Sequence, residues 1–156
     1  MDALALELIA RHGLEPHPEG GHYRRFHASR IEVEHNGLRR PASTAIHYLL
    51  AAGERSAWHR IDADEAWHWQ QGGVLELLQF DEARGTLSRT RLGPGPDGEG
   101  LCRIVPAGTW QAASAARGSA LVVCSVAPGF AWQGFEMLDP RSDTARALER
   151  LGVVQS

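Results

Sequence analysis

Within twelve residues, Trp58-His59-Arg60-Ile61-Asp62-Ala63-Asp64-Glu65-Ala66-Trp67-His68-Trp69 gathers three indoles, two imidazoles and three carboxylates. Imidazole and carboxylate at this density are the groups that coordinate divalent metals or move protons, and indoles beside them serve either as core or as a stacking wall. If the segment from Glu65 onward is a strand, alternation sends Glu65, Trp67 and Trp69 to one face and Ala66 and His68 to the other. Only a β-bulge would turn His68 inward. A carboxylate aimed into an aromatic cavity is costly unless it is paired, protonated or coordinated, so Glu65 requires a partner such as His59, a cation or Arg24. His59 and Glu65 are therefore the candidate catalytic pair, with Trp67 and Trp69 as candidate ligand-stacking walls.

The elements that must position these groups are mostly strands. Asp2 can cap a short amphipathic helix running to about Arg11, with Leu4, Leu8 and Ile9 on one face and Gly13 at its end. Beyond it, short runs rich in β-branched and aromatic residues are punctuated by Gly, Pro, Asn and Asp, which predicts strands over 22–30, 31–34, 43–51, 66–70, 74–80, 87–92, 101–105, 109–113 and 120–127. Asn36-Gly37 and Gln71-Gly72-Gly73 read as turns, and the breaker-rich segment 93–100 as a surface loop with no P-loop lysine after it. Ser142 or Asp143 can cap a last helix over 144–151, ended by Gly152. On the strand 43–51, Ala45, His47 and Leu49 share one face and Ile46, Tyr48 and Leu50 the other. His47 is a further candidate for the pocket lining.

Composition removes several function classes. A 156-residue chain with 43% hydrophobic and 22% charged residues reads as one globular domain spanning 1–156. Its formal charge of -3 offers no basic footprint for nucleic acid. The apolar runs, such as 121–127, are far shorter than the roughly 20 residues of a membrane span. No basic and apolar leader pattern opens the chain, which predicts a cytoplasmic protein, and Cys102 and Cys124 read as buried free thiols.

Two spaced patterns choose among the all-β folds. From Gly53, five residues lead to His59, Ile61 follows, three more residues lead to Glu65, and six more reach Gly72. From Gly100, five residues lead to Pro106, followed by Gly108 and, after two residues, Gln111. These stretches resemble the two motifs of the cupin superfamily, G-x5-H-x-H-x3,4-E-x6-G and G-x5-P-x-G-x2-H-x3-N. Ile61 stands where the second histidine would be, Gln111 where the histidine of the second motif would be, and Ala115 where the asparagine would be. With Pro16-His17-Pro18-Glu19-Gly20-Gly21-His22-Tyr23-Arg24 and Val126-Ala127-Pro128-Gly129-Phe130, the chain is similar to the cupin-5 branch, whose members have mostly lacked an assigned activity.

The resemblance implies a cupin double-stranded β-helix, a jelly-roll barrel over about residues 20–138 with short N- and C-terminal helices, acting as a homodimer with a small-molecule pocket in each barrel. It is structurally close to cupins that epimerise nucleotide-linked deoxysugars, in which an N-terminal segment contributes pocket residues. Tyr23 and Arg24 are the corresponding candidates to meet an anionic or polyhydroxyl ligand. Two enzyme readings stay open, alongside a non-catalytic module that binds a small molecule or a metal. In one, an isomerase or epimerase uses His59 as general base and Glu65 as orienting group or acid on a sugar-like or carboxylated metabolite. In the other, His59, Glu65 and Gln111 ligate a divalent transition metal (Mn, Fe, Ni or Zn) that acts as Lewis acid. No organic cofactor is implied.

Overall fold

The computed structural model describes residues 1–153. In chain order the elements are α1 (Ala3–His12), β1 (Glu15–Pro16), β2 (His22–Ala28), β3 (Glu32–His35), β4 (Leu38–Pro41), β5 (Thr44–Leu50), β6 (His59–Ile61), β7 (Asp64–Gly72), β8 (Leu75–Asp81), β9 (Thr86–Leu92), β10 (Cys102–Val105), β11 (Trp110–Ser114), β12 (Ala120–Ala127), β13 (Phe135–Met137) and α2 (Asp143–Arg150). A single 3-10 turn, Trp132–Gly134, precedes β13.

Among the described residues, eleven of the strands form two sheets that face each other as a jelly roll, and β3 and β4 pair as a separate two-stranded sheet. The first has the order β1-β2-β5-β12-β7-β10, and the second β13-β6-β11-β8-β9. Every pairing is antiparallel. Alternation along each strand sends one set of side chains between the sheets, where Tyr48, Leu50, Trp67, Leu75, Leu77, Val122 and Cys124 form the main core. The opposite faces are covered by the helices. Asp2 caps α1 by accepting from the Ala5 amide at 2.9 Å, and Ala5 and Leu8 bury against Leu49 and Leu121 on the outside of the first sheet. Ser142 caps α2 in the same way, and Leu148 packs with Trp58, Phe80 and Trp110 outside the second sheet.

All nine strands expected from patterning are present, together with four short ones that carry no period of their own: β1, β4, β6 and β13. Their order comes from neighbours. β4 pairs with β3 across Asn36-Gly37, both with positive φ as a two-residue hairpin turn demands. The buried Arg40 then ties β4 to the loop after β6 through a bidentate contact with Asp62, 2.9 Å for each nitrogen–oxygen pair. Two expectations are corrected. Gln71-Gly72-Gly73 is not a hairpin turn, since β7 pairs with β12 and β10 while β8 belongs to the other sheet; it carries the chain from one sheet to the other. Cys102 is exposed because it lies on the edge strand β10, whereas Cys124 is buried on the central strand β12.

The crossing between sheets needs glycine. Gly72 has φ 100°, and a Cβ built on it would stand 2.1 Å from the Ser119 carbonyl oxygen. Gly72→Ala is expected to lower the unfolding free energy by more than about 1 kcal/mol in urea titration, since backbone strain and a backbone clash coincide there; an unchanged midpoint would show that the crossing tolerates a side chain.

Candidate functional site

A cavity of about 650 Å3 opens between the two sheets. Its wall on the first sheet is set by strand alternation: Tyr23 and Arg25 of β2 pair with Tyr48 and Ile46 of β5, and all four line the cavity. β7 adds Glu65 and Trp67, and β6 of the second sheet adds His59 and Ile61. Phe130, Trp132 and Phe135 form the aromatic wall, with Phe135 stacked on the His59 ring at 5.5 Å between centroids.

Residues 17–21 bring two more titratable groups inward. A Cβ on Gly21, whose φ is 73°, would lie 2.5 Å from the Leu49 carbonyl oxygen, so the turn can press against β5 only because no side chain is present there. The turn is pinned by the Tyr48 hydroxyl, which donates to the Gly20 carbonyl at 2.7 Å, and by the Ala57 amide, which donates to the Glu19 carbonyl at 2.6 Å. The Glu19 carboxyl group is thereby buried, with Oε2 3.1 Å from His59 Nε2.

Hydrogen bonding decides the proton inventory. His59 Nδ1 lies 2.8 Å from the Ala57 carbonyl oxygen, which can only accept, so Nδ1 carries a hydrogen. His59 Nε2 and Glu19 Oε2 can then be bridged by one proton, present either as carboxylic acid against neutral imidazole or as carboxylate against imidazolium. Burial favours the uncharged form: it pushes Glu19 up to about 8 and pulls His59 down. His17 Nδ1 accepts from the Glu19 amide at 3.1 Å, leaving its hydrogen on Nε2, and burial followed by the neighbouring His59 lowers its pKa to about 4. Its ring meets Tyr23 edge-on at 4.4 Å.

Glu65 sits under a second constraint. Gln111 is fully buried; its Nε2 donates to Glu65 Oε1 at 2.7 Å and its Oε1 accepts from Trp67 Nε1 at 2.8 Å. Burial raises Glu65 to about 7, with His59 pulling down and Glu19 pushing up. The cavity therefore holds two carboxyl groups that are substantially protonated at neutral pH and two imidazoles that remain neutral, a set suited to giving and taking protons.

Of the residues expected from sequence, His59, Glu65, Tyr23, Arg24 and Trp67 line the cavity. Two are corrected. His47 points away from it, between the tilted rings of His12 and Phe26 at 4.4 Å from each, because Ile46 and Tyr48 occupy the inner positions of β5. Trp69 continues inward from Trp67 but packs against the core, its indole donating to the Gly73 carbonyl at 2.9 Å, and contributes no cavity wall. His68 faces outward, with Nε2 3.3 Å from the Ser125 hydroxyl; the irregularity in the β7–β12 pairing falls beyond it. Sequence reasoning missed Glu19, His17, Arg25 and Trp132. Arg25 was accessible through alternation with Tyr23, whereas the inward turn of Glu19 depends on where β5 lies and has no local signature.

The expected ligand set of His59, Glu65 and Gln111 does not fit a metal ion in this arrangement. The Gln111 oxygen is held by an indole, His59 Nε2 faces Glu19, and Ile61 offers no donor. Among the described residues no group of three or more His, Cys, Asp or Glu side chains is placed to hold a metal.

The family model Cupin_5, described as cupin superfamily (DUF985), matches residues 6–138. A hypothetical protein from Leishmania major is 32% identical over 95% of this chain and 92% of its own, with a TM-score of 0.81. A protein from Shewanella oneidensis is 30% identical over 96% and 93%, with a TM-score of 0.84. Oxalate decarboxylase from Bacillus subtilis, 17% identical over 90% of this chain and 34% of its own at a TM-score of 0.62, shares the fold. No curated protein matches.

Two measurements probe the buried network. Gln111→Leu strands the Trp67 N–H and removes the donor to Glu65, and is expected to cost at least about 2 kcal/mol of stability in denaturant unfolding; a smaller loss would show that the bridge is dispensable. Glu19 has a folded pKa raised from 4.5 to about 8, so its contribution to stability is complete below 4.5 and is lost as pH rises through about 8. Over that window wild type should lose stability relative to Glu19→Gln by a few kcal/mol, read from unfolding curves at each pH. Parallel curves would place the Glu19 carboxylate in a solvated, paired state.

Proposed function

We propose that this chain, which belongs to the Cupin_5 family of the cupin superfamily, binds a small polar metabolite between its sheets and catalyses an isomerase- or epimerase-type proton transfer on it. The observation that carries this reading is the one-proton pair of Glu19 Oε2 and His59 Nε2, 3.1 Å apart, in the same cavity as Glu65. Two carboxyl groups that burial raises to about 8 and about 7, beside an imidazole that burial keeps neutral, are held away from bulk water and oriented by hydrogen bonds, and together they form an acid/base set.

In this scheme the ionised fraction of Glu65 takes the proton from a carbon next to a carbonyl, and the C–H electron pair moves into an enolate. Protonated Glu19 supplies the proton that re-forms a C–H bond, while His59 holds the Glu19 proton in place through Nε2. Proton and electron counts close without an oxidant or reductant. The sequence pattern alone suggests His59 as general base and Glu65 as orienting group or acid; here those roles are redistributed, with Glu65 as base, Glu19 as acid and His59 as the group that holds the Glu19 proton. The phenols are less suited: Tyr48 is held on the Gly20 carbonyl and burial raises its pKa well above the ordinary value.

The same proposal takes the whole chain as one cupin unit that works as a homodimer in the cytoplasm. Leu101 and Ile104, apolar and exposed around edge strand β10, are surface that a second copy would cover. No helix among the described residues is long and apolar enough to cross a membrane.

A panel of aldoses, ketoses, hydroxy acids and keto acids incubated with the protein in D2O tests the chemistry. Wild type is expected to wash out a proton α to a carbonyl in at least one compound, seen by proton NMR, and Glu19→Gln and His59→Ala to slow that exchange at least about 100-fold. Saturable binding with no exchange would instead support a non-catalytic binding module. A parallel sample equilibrated with Mn2+, Fe2+, Ni2+ or Zn2+ and desalted is expected to retain substoichiometric metal; stoichiometric metal lost in His59→Ala would favour the metal-dependent reading.

A further inference from the structure

The chain's guanidinium groups differ in whether they are paired and in whether they line the cavity. Most have a carboxylate partner: Arg40 with Asp62, Arg60 with Glu82 and Glu136, Arg89 with Glu76. Arg24 and Arg25, both on the cavity wall and both exposed, enter no ion pair among the described residues. Among the described residues the guanidinium of Arg24 makes one hydrogen bond, a 3.5 Å contact from Nη1 to the Gly13 carbonyl, and Arg25 faces the cavity beside Ile46. Trp132, about half exposed, lines the same cavity, with its ring edge-on to Phe130 at 4.9 Å and to Phe135 at 5.3 Å.

Charge along the cavity is therefore graded. The rim carries two unpaired guanidinium groups against one exposed carboxylate, Glu15. The interior carries Glu19 and Glu65, in which burial favours the acid form, and two neutral imidazoles. An anion brought to the interior would lose its hydration and meet carboxyl groups that repel it once ionised, whereas at the rim it keeps part of its water and gains forked donors. An uncharged carbonyl or hydroxyl has the opposite preference, since the interior offers donors and acceptors without a fixed charge.

We propose that the ligand carries an oxyanion group, phosphate or carboxylate, held at the rim by Arg24 and Arg25 beside the Trp132 ring, with its uncharged end turned inward to Glu19, His59 and Glu65. This rests on the reading of the cavity as a small-molecule site and names the substrate class that site admits. It also assigns Arg25 and Trp132 as binding residues.

Phenyl phosphate, benzoate, phenol and inorganic phosphate separate the contributions, with dissociation constants read from amide chemical shifts at low salt. Phenyl phosphate or benzoate is expected to bind at least about 10-fold tighter than phenol, and the tighter of the two identifies the oxyanion. Arg24→Gln/Arg25→Gln should remove that advantage and leave phenol unchanged, and Trp132→Ala should weaken phenyl phosphate more than inorganic phosphate. Equal affinities for phenol and both anions, or an anion preference that survives the double arginine variant, would overturn the proposal. Glu19→Gln is expected to leave oxyanion affinity within about twofold. Absence of D2O exchange in the wild-type protein with oxyanion binding intact sinks only the catalytic reading, and wild-type exchange without any anion preference sinks only this one.

Discussion

The floor of the cavity rests on one fully buried amide. Gln111 projects from β11 of the second sheet and engages two residues of β7 in the first, accepting from the Trp67 indole and donating to the Glu65 carboxyl group. The two faces of a β-sandwich ordinarily meet through apolar contacts that tolerate small slides. A bridge with both a donor and an acceptor committed has one register, because moving either sheet leaves two buried polar groups unpaired. Gln111 also pairs with His59 along β6, so the bridge that fixes Glu65 fixes the backbone carrying the imidazole.

Placing two carboxyl groups and two imidazoles in one dry space would be prohibitive if all were charged. The arrangement avoids this by leaving the proton count low and the charges mostly uncreated. Glu19 and His59 need one proton between them, Glu65 is satisfied as a neutral acceptor of the Gln111 amide, and His17 is held neutral by burial and then by the neighbouring His59, with the Glu19 amide aimed at its Nδ1. The local cost is offset by surrounding apolar packing, with Phe135 over His59 and the tryptophan-rich core beneath Glu65. What makes the set expensive to fold is also what raises its two carboxyl groups toward neutrality and keeps its imidazoles uncharged.

Strands of ordinary length were legible because alternation and breakers mark them, and the motif spacing located His59, Glu65 and Gln111 before any coordinates. The limits of that reading have physical causes. β6 is three residues long and contains no period, yet it carries His59; its order comes from pairing with β11 and β13. His47 and Tyr48 are adjacent on one strand, and only the identity of the packed face, set by α1 on the outside, shows that tyrosine and not histidine lines the cavity. Trp69 obeys the alternation that was expected of it, but depth along the barrel, which no period encodes, puts it in the core. Glu19 lies within a conspicuous glycine turn, while its partner His59 stands forty residues away in sequence.

The substitutions that separate this chain from the full cupin motifs act together. An imidazole at position 61 or 111 would present a lone pair to the space between the sheets and, with His59, begin a metal cradle. Isoleucine at 61 removes one such lone pair, and glutamine at 111 turns the other position into a hydrogen-bonded strut whose oxygen is already taken. His59 Nε2 is then free to face a carboxyl group, and the turn at Gly20-Gly21 delivers one. Each change alone would leave a defective metal site or an unpaired buried acid. Taken together they remove donors from a cation cradle and bring a carboxyl group within 3.1 Å of an imidazole, which is the arrangement the proposed carbon-acid chemistry uses.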